Sequence, residues 1–340
     1  MYQEFYGLRE LPFELTANPR YLFLTAKQRE ALSILQYGLL SAKSMTLLVG
    51  DAGTGKTTLI QAALESERCR DVRCVYLNNP MLSAADFVRL LARRFQLGPE
   101  AAESKSVLLD QLEARLREIR GAGELTALVV DEAQTLSTEL LEEIRLLANI
   151  ETATEKLLPV VLAGQPELAD RLEQPNLRQL KQRVALRCEL DPFELGDTAA
   201  YIASRIHTAG GVPAEMFTQE AVRLIHERSR GIPRMINVIC DNALVSGMAL
   251  GHRRVERAMV NEVCDDLRLL SGPSGWTTAA EPTPGSAAGA PAPRVAQYSA
   301  PEEARDDSSE SSPETESDSP GRFNFRFRWK AATVSAGKGR

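Results

Sequence analysis

The chain has 340 residues, 44% of them hydrophobic, with a formal net charge of −6. That is enough for about two domains and a substantial core, and an acidic total argues against nonspecific wrapping of nucleic acid. No apolar run approaches the roughly twenty residues that a membrane-spanning helix needs, and the amino terminus shows no basic-then-apolar export signal, so a cytoplasmic protein is expected.

The aromatics Phe5, Tyr6, Phe13, Tyr21 and Phe23 come first, and most read as packing residues. Residues 46–49 then read as an apolar strand running into Gly50-Asp51-Ala52-Gly53-Thr54-Gly55-Lys56-Thr57-Thr58. Glycines at these spacings let successive backbone N–H groups turn inward, and the helix opening near Lys56 adds its positive end to the same spot. This is a cradle for a nucleoside triphosphate. Lys56 is placed to reach the β- and γ-phosphates and the Thr57 hydroxyl to hold Mg²⁺, with Thr58 the other hydroxyl at hand.

A second strand is expected over 73–77 and a third over 126–131. The third carries Leu128-Val129-Val130 into Asp131-Glu132-Ala133-Gln134 and is expected to be a parallel strand beside the phosphate loop. Its carboxyl end is where open α/β sheets place ligands, so Asp131 is expected to support Mg²⁺ and Glu132 to orient and deprotonate a water for in-line attack. The Leu140–Leu147 stretch has the spacing of a core-facing helix. A fourth strand is expected over 159–164, and the alternation of strands and helices to about residue 190 implies a parallel sheet.

Residues 191–270 carry only helical periodicity, over 197–209, 218–229, 233–249 and 255–270, punctuated by Gly210-Gly211, Gly231 and Gly251. From Ser271 onward Pro, Ala, Ser and Gly dominate, followed by an acidic stretch to Asp318, a composition expected to stay disordered. Within it, Phe323, Phe325, Phe327 and Trp329 alternate with Asn324, Arg326, Arg328 and Lys330. As a strand, that segment would carry aromatics on one face for docking to a partner or an anionic surface. The expected organisation is therefore 1–190 α/β, 191–270 helical and 271–340 tail. Cys69, Cys74, Cys188, Cys240 and Cys264 form no metal or redox motif and are expected as free thiols.

A helical lid behind a phosphate-loop sheet resembles the AAA+ ATPases. The segments Phe5-Tyr6-Gly7-Leu8-Arg9-Glu10-Leu11-Pro12-Phe13, Asp131-Glu132-Ala133-Gln134, Gly164-Gln165-Pro166-Glu167-Leu168 and Gly231-Ile232-Pro233-Arg234-Met235-Ile236-Asn237 resemble ExeA/GspA-type secretion ATPases, closest to the branch associated with exosortase loci. The resemblance covers about residues 1–270, and it implies that the amino-terminal aromatics pass near the adenine, with one or two as candidates to line the base. It implies an AAA+ P-loop NTPase fold with a small all-α lid, ATP and Mg²⁺ as ligands, and Gln165 as a sensor of the γ-phosphate or lytic water. It also implies that Arg234 folds the lid onto the phosphates and that Arg183, with Arg178 as runner-up, acts as an arginine finger for a neighbouring subunit.

A homo-oligomer is thus expected, a ring or a filament, with a hexamer among the possible forms. Its partners would be export or envelope-assembly proteins, and any membrane contact would be peripheral, at the cytoplasmic face of the inner membrane. The other class is a DNA-associated AAA+ switch of the transposition-helper type. Residues 1–270 show no helix-turn-helix and no basic stripe, so nucleic acid is not the expected partner.

Overall fold

A computed structural model describes residues 2–269 apart from residues 17, 42–44 and 79–81. The expected tail over 271–340, with its aromatic-basic stretch, lies outside the described residues.

The chain opens with α1 (Tyr2–Tyr6) and α2 (Ala26–Leu40). A capping box starts α2: Thr25 Oγ1 accepts from the Gln28 N–H and Gln28 Oε1 accepts from the Thr25 N–H, both at 3.2 Å. Strands and helices then alternate: β1 (Met45–Gly50), α3 (Lys56–Glu65), β2 (Val72–Leu77), α4 (Ala84–Arg94), α5 (Lys105–Gly121), β3 (Leu125–Val130), α6 (Thr138–Leu147), β4 (Val160–Gly164), α7 (Pro166–Leu172), α8 (Arg178–Lys181) and β5 (Val184–Leu190).

All five strands are parallel, in the order β2-β3-β4-β1-β5. The three inner strands are buried at every position, as expected of strands covered on both faces. Their side chains alternate between two cores. Leu47, Val49, Leu128, Val130 and Leu162 pack with α4, α5 and α6 through Leu91, Leu112, Leu140 and Ile144. Leu48, Val129, Val161 and Ala163 pack with α2 and α3 through Leu35, Leu39, Leu59 and Ile60.

The sheet inserts β4 between the phosphate-loop strand and the strand ending at Val130. The strand β5 was not anticipated: its edge position leaves Ala185, Arg187 and Glu189 exposed, so its apolar signal is diluted.

After β5 come α9 (Leu195–Thr208), α10 (Pro213–Met216), α11 (Gln219–Ser229), α12 (Pro233–Leu250) and α13 (Arg257–Asp266). Their apolar faces form a third core, through Ile202, Ile206, Leu224, Ile225, Ile239 and Leu244. Tyr2, Leu8 and Phe13 from the amino-terminal segment join this helical core rather than the sheet. Buried Arg205 on α9 fastens the segment: its guanidinium lies 4.7 Å from the Tyr21 ring centroid, and it donates to the carbonyl oxygens of Pro12 and Glu14. The five cysteines are free thiols. Among the described residues, no helix is long and apolar enough to cross a membrane.

Candidate functional site

The loop between β1 and α3 is shaped by glycine where no other residue fits. A Cβ on Gly50 would stand 2.8 Å from the Leu190 carbonyl oxygen, and Gly53 and Gly55 adopt φ of +85° and +99°. Thr54 closes the turn, its hydroxyl donating to the Asp51 carbonyl at 2.8 Å. Lys56, the first residue of α3, is only 5% exposed, and its Nζ donates to the carbonyls of Gly50 at 2.8 Å and Asp51 at 3.0 Å. Burial pulls the Lys56 pKa down, while the nearby carboxylates of Glu132, Asp131 and Asp51 pull the other way. Asp51 and Ala52 are exposed.

The acids meet this loop across the inserted strand. Asp131, 1% exposed at the end of β3, accepts through Oδ2 from the Thr57 hydroxyl at 2.6 Å and from the Tyr76 phenol at 2.7 Å. Its Oδ1 accepts from the Glu132 N–H at 2.9 Å. Thr57, rather than Thr58, is the hydroxyl that reaches this carboxylate. Tyr76, on β2, was not anticipated as part of the site; its phenol pKa is raised by burial and by the bond to Asp131. A phenol kept protonated serves here as a fixed donor.

Glu132 sits at φ 54°, ψ 36°, a left-handed conformation uncommon outside glycine. That backbone turn carries its side chain off the end of β3. Gln134 Nε2 donates to Glu132 Oε2 at 2.6 Å, and Gln134 Oε1 accepts from the Gln165 N–H at 3.2 Å. Gln165 directly follows β4 as the residue preceding α7, so β4 brings it to the same sheet edge as Asp131.

The helical part reaches the loop through the start of α12. Gly231 has φ +72°, and a Cβ there would lie 2.1 Å from the Phe193 carbonyl oxygen, so a glycine is required before Ile232-Pro233 open the helix. The Arg234 N–H donates to the Gly53 carbonyl at 3.2 Å, and the Arg234 side chain packs over Gly53. Arg178 and Arg183 are not brought to this place. Both are exposed, and Arg183 immediately precedes β5, whose first residue pairs with Met45, so it lies at the opposite edge of the sheet. The length of β1, roughly 16 Å, separates that edge from the loop.

The amino-terminal aromatics pack against the helical part. Phe13 meets Phe217 edge to face, and Phe23 meets Phe193 and Tyr201 in the same way. Asp-Glu-Ala-Gln was visible as a motif, yet nothing in its spacing pointed to the Gln134 side chain as the partner of Glu132.

The donor set suits the expected ligands. A hydroxyl and a carboxylate converging at the loop are hard oxygen donors of the kind Mg²⁺ takes, and a glycine-shaped loop at a helix start, with a buried ammonium, suits phosphate.

Residues 39–172 match the family model described as AAA domain. Cdc6p from Pyrobaculum aerophilum superposes with a TM-score of 0.59 at 18% identity, covering 77% of this chain and 72% of that one. The Aeropyrum pernix ORC2 protein, solved as ADPNP-ADP complexes, gives a TM-score of 0.55 at 16% identity, covering 76% of this chain and 71% of that one. The chain has the AAA+ P-loop NTPase fold. General secretion pathway protein A of Aeromonas hydrophila is 41% identical over 276 residues, 81% of this chain and 50% of the relative. That similarity, with the AAA domain, supports the ExeA/GspA-type family for this chain, which spans about half the length of that relative.

Proposed function

We propose that the chain is a Mg²⁺-dependent ATPase whose nucleotide state drives a step of protein export or envelope assembly. The observation that carries the nucleotide half is the 2.6 Å contact between Thr57 on the phosphate loop and Asp131, with Glu132 directly after it. The export half rests on similarity to a secretion pathway protein, and the exosortase branch is a narrower form of the same reading.

In this mechanism the backbone N–H groups of residues 51–57 hold the phosphates. Lys56 leaves the Gly50 and Asp51 carbonyls for the β- and γ-phosphate oxygens, a cation moving from neutral acceptors to anionic ones. Thr57 and Asp131 would hold Mg²⁺, which supplies charge neutralisation to the phosphates. Glu132 orients a water and takes its proton, and Gln165 contacts the γ-phosphate from the end of β4. Arg234 closes the helical lid over the phosphates. Arg183, with Arg178 as the other candidate, serves the site of a neighbouring subunit in a homo-oligomer, since in its own chain it lies at the far edge of the sheet.

We assign the nucleotide-binding domain to the residues through 190 and the lid to 191–270, with the amino-terminal segment packed on the lid. A cytoplasmic protein with peripheral contact at the inner membrane fits this reading. The transposition-helper alternative is not favoured, because the relative matched over 81% of the chain is a secretion pathway protein. The test is ATP binding and phosphate release by the full chain beside K56A and E132Q. Loss of binding in the first and of hydrolysis alone in the second supports the reading, whereas wild-type behaviour in both contradicts it.

A further inference from the structure

Glu132 is not held by its own backbone alone, and the residue that fixes its carboxylate also touches the strand end where Gln165 sits. Gln134 Nε2 donates to Glu132 Oε2 at 2.6 Å while Gln134 Oε1 accepts from the Gln165 N–H at 3.2 Å. One amide thus spans the turn after β3 and the end of β4, using a donor on one side and an acceptor on the other. Its position is enforced on two further sides. A Cβ on Gly164 would stand 2.8 Å from Gln134 Oε1, so glycine at 164 leaves the space the amide occupies. From α7, Arg171 Nη1 donates to the Gln134 carbonyl oxygen at 2.7 Å, tying the backbone of the same residue to the helix that follows Gln165.

We propose that Gln134 is a positioning residue for hydrolysis: it holds the Glu132 carboxylate by one oxygen, leaves the other for water, and ties that orientation to the end of β4. The inference rests on the reading of Glu132 as the base. A carboxylate on a left-handed residue between a strand and a short turn has free side-chain torsions, and a misplaced base loses rate steeply. The Gln134 amide removes that freedom. Because Gln134 takes its acceptor contact from the Gln165 backbone, any shift of Gln165 toward a γ-phosphate moves the amide and with it the base. Gln134 touches neither phosphate nor water in this account.

The test compares steady-state ATP turnover, nucleotide affinity and Tm of the full-length wild type, Q134A, Q134E and E132Q. Gln134→Ala removes both contacts. Gln134→Glu keeps the size and the acceptor for the Gln165 N–H but replaces the donor facing Glu132 with an oxygen. We expect kcat to fall about tenfold or more in both variants, with KM for ATP and nucleotide affinity within about twofold of wild type. A residue that merely supports the turn would show the opposite pattern: Q134E close to wild type, and Q134A lowered in affinity and Tm together. That pattern, or wild-type kcat in both variants, overturns the inference. E132Q separates the two levels of the argument. If E132Q turns over ATP at the wild-type rate, the assignment of the base fails and this inference with it; if E132Q is inactive while Q134A is unimpaired, only the role of Gln134 fails.

Discussion

Arg234 and Gly53 join the two halves of the molecule: the Arg234 N–H donates to the Gly53 carbonyl at 3.2 Å, and a Cβ on Gly53 would come within 2.7 Å of the Arg234 Cβ. The helical part therefore rests directly on the phosphate loop, through backbone that leaves no room for a side chain. A ligand that moves the loop is therefore expected to move α12 as well.

Gly53→Ala tests this contact. The new methyl group meets Arg234, and the residue must also hold φ near +85°, a cost of about 1–3 kcal/mol. We expect a lowered Tm and at least tenfold weaker nucleotide binding, read by thermal unfolding and calorimetry. Unchanged binding would mean that the loop and α12 are not coupled.

Glu132 offers a test of its backbone independent of its chemistry. Both E132G and E132A lack the carboxylate, and at an ordinary position the glycine variant is the less stable of the two. At φ 54° the order should reverse, with E132G more stable by about 1 kcal/mol in denaturant unfolding while both fail to hydrolyse ATP. The ordinary order would show that the left-handed turn after Asp131 is absent in solution.

These residues also mark how much of the molecule was legible in the sequence. The phosphate loop and its strand were, because glycine spacing and a six-residue apolar run act locally. The acid pair Asp131-Glu132 at the end of an apolar strand was legible for the same reason. The insertion of β4 between β1 and β3 was not, since strand order is decided by distant packing, and β5 was hidden by the exposed Arg187 and Glu189 of an edge strand. The packing of Tyr2 and Phe13 onto helices some two hundred residues away leaves no local trace. Tyr76 and Gln134 were missed because each acts through a partner on another element or turn.

Arg205 should be indispensable to the amino-terminal segment. It is 7% exposed, stacks on Tyr21 and bonds the Pro12 and Glu14 carbonyls, and a lysine cannot reproduce that planar fork. R205K should cost about 2–3 kcal/mol and render the first twenty or so residues sensitive to protease. A Tm equal to wild type with a protected amino terminus would contradict the fastening role.

Arg183 is exposed, so R183A should leave Tm and ATP affinity intact while abolishing turnover in a uniform population. Mixing R183A with K56A subunits should restore part of the activity, because each supplies what the other lacks at a shared interface. Mixtures no more active than either variant alone would confine the arginine to a structural role.

The central claim is that this loop holds ATP while Glu132 readies water against it. Phosphate release by the full chain with Mg²⁺ and ATP, measured alongside calorimetric nucleotide binding for wild type and E132Q, tests it most directly. The account predicts that both proteins bind ATP and that only the wild type releases phosphate. A wild type indifferent to millimolar adenine nucleotides, or an E132Q variant that hydrolyses at the wild-type rate, would contradict it.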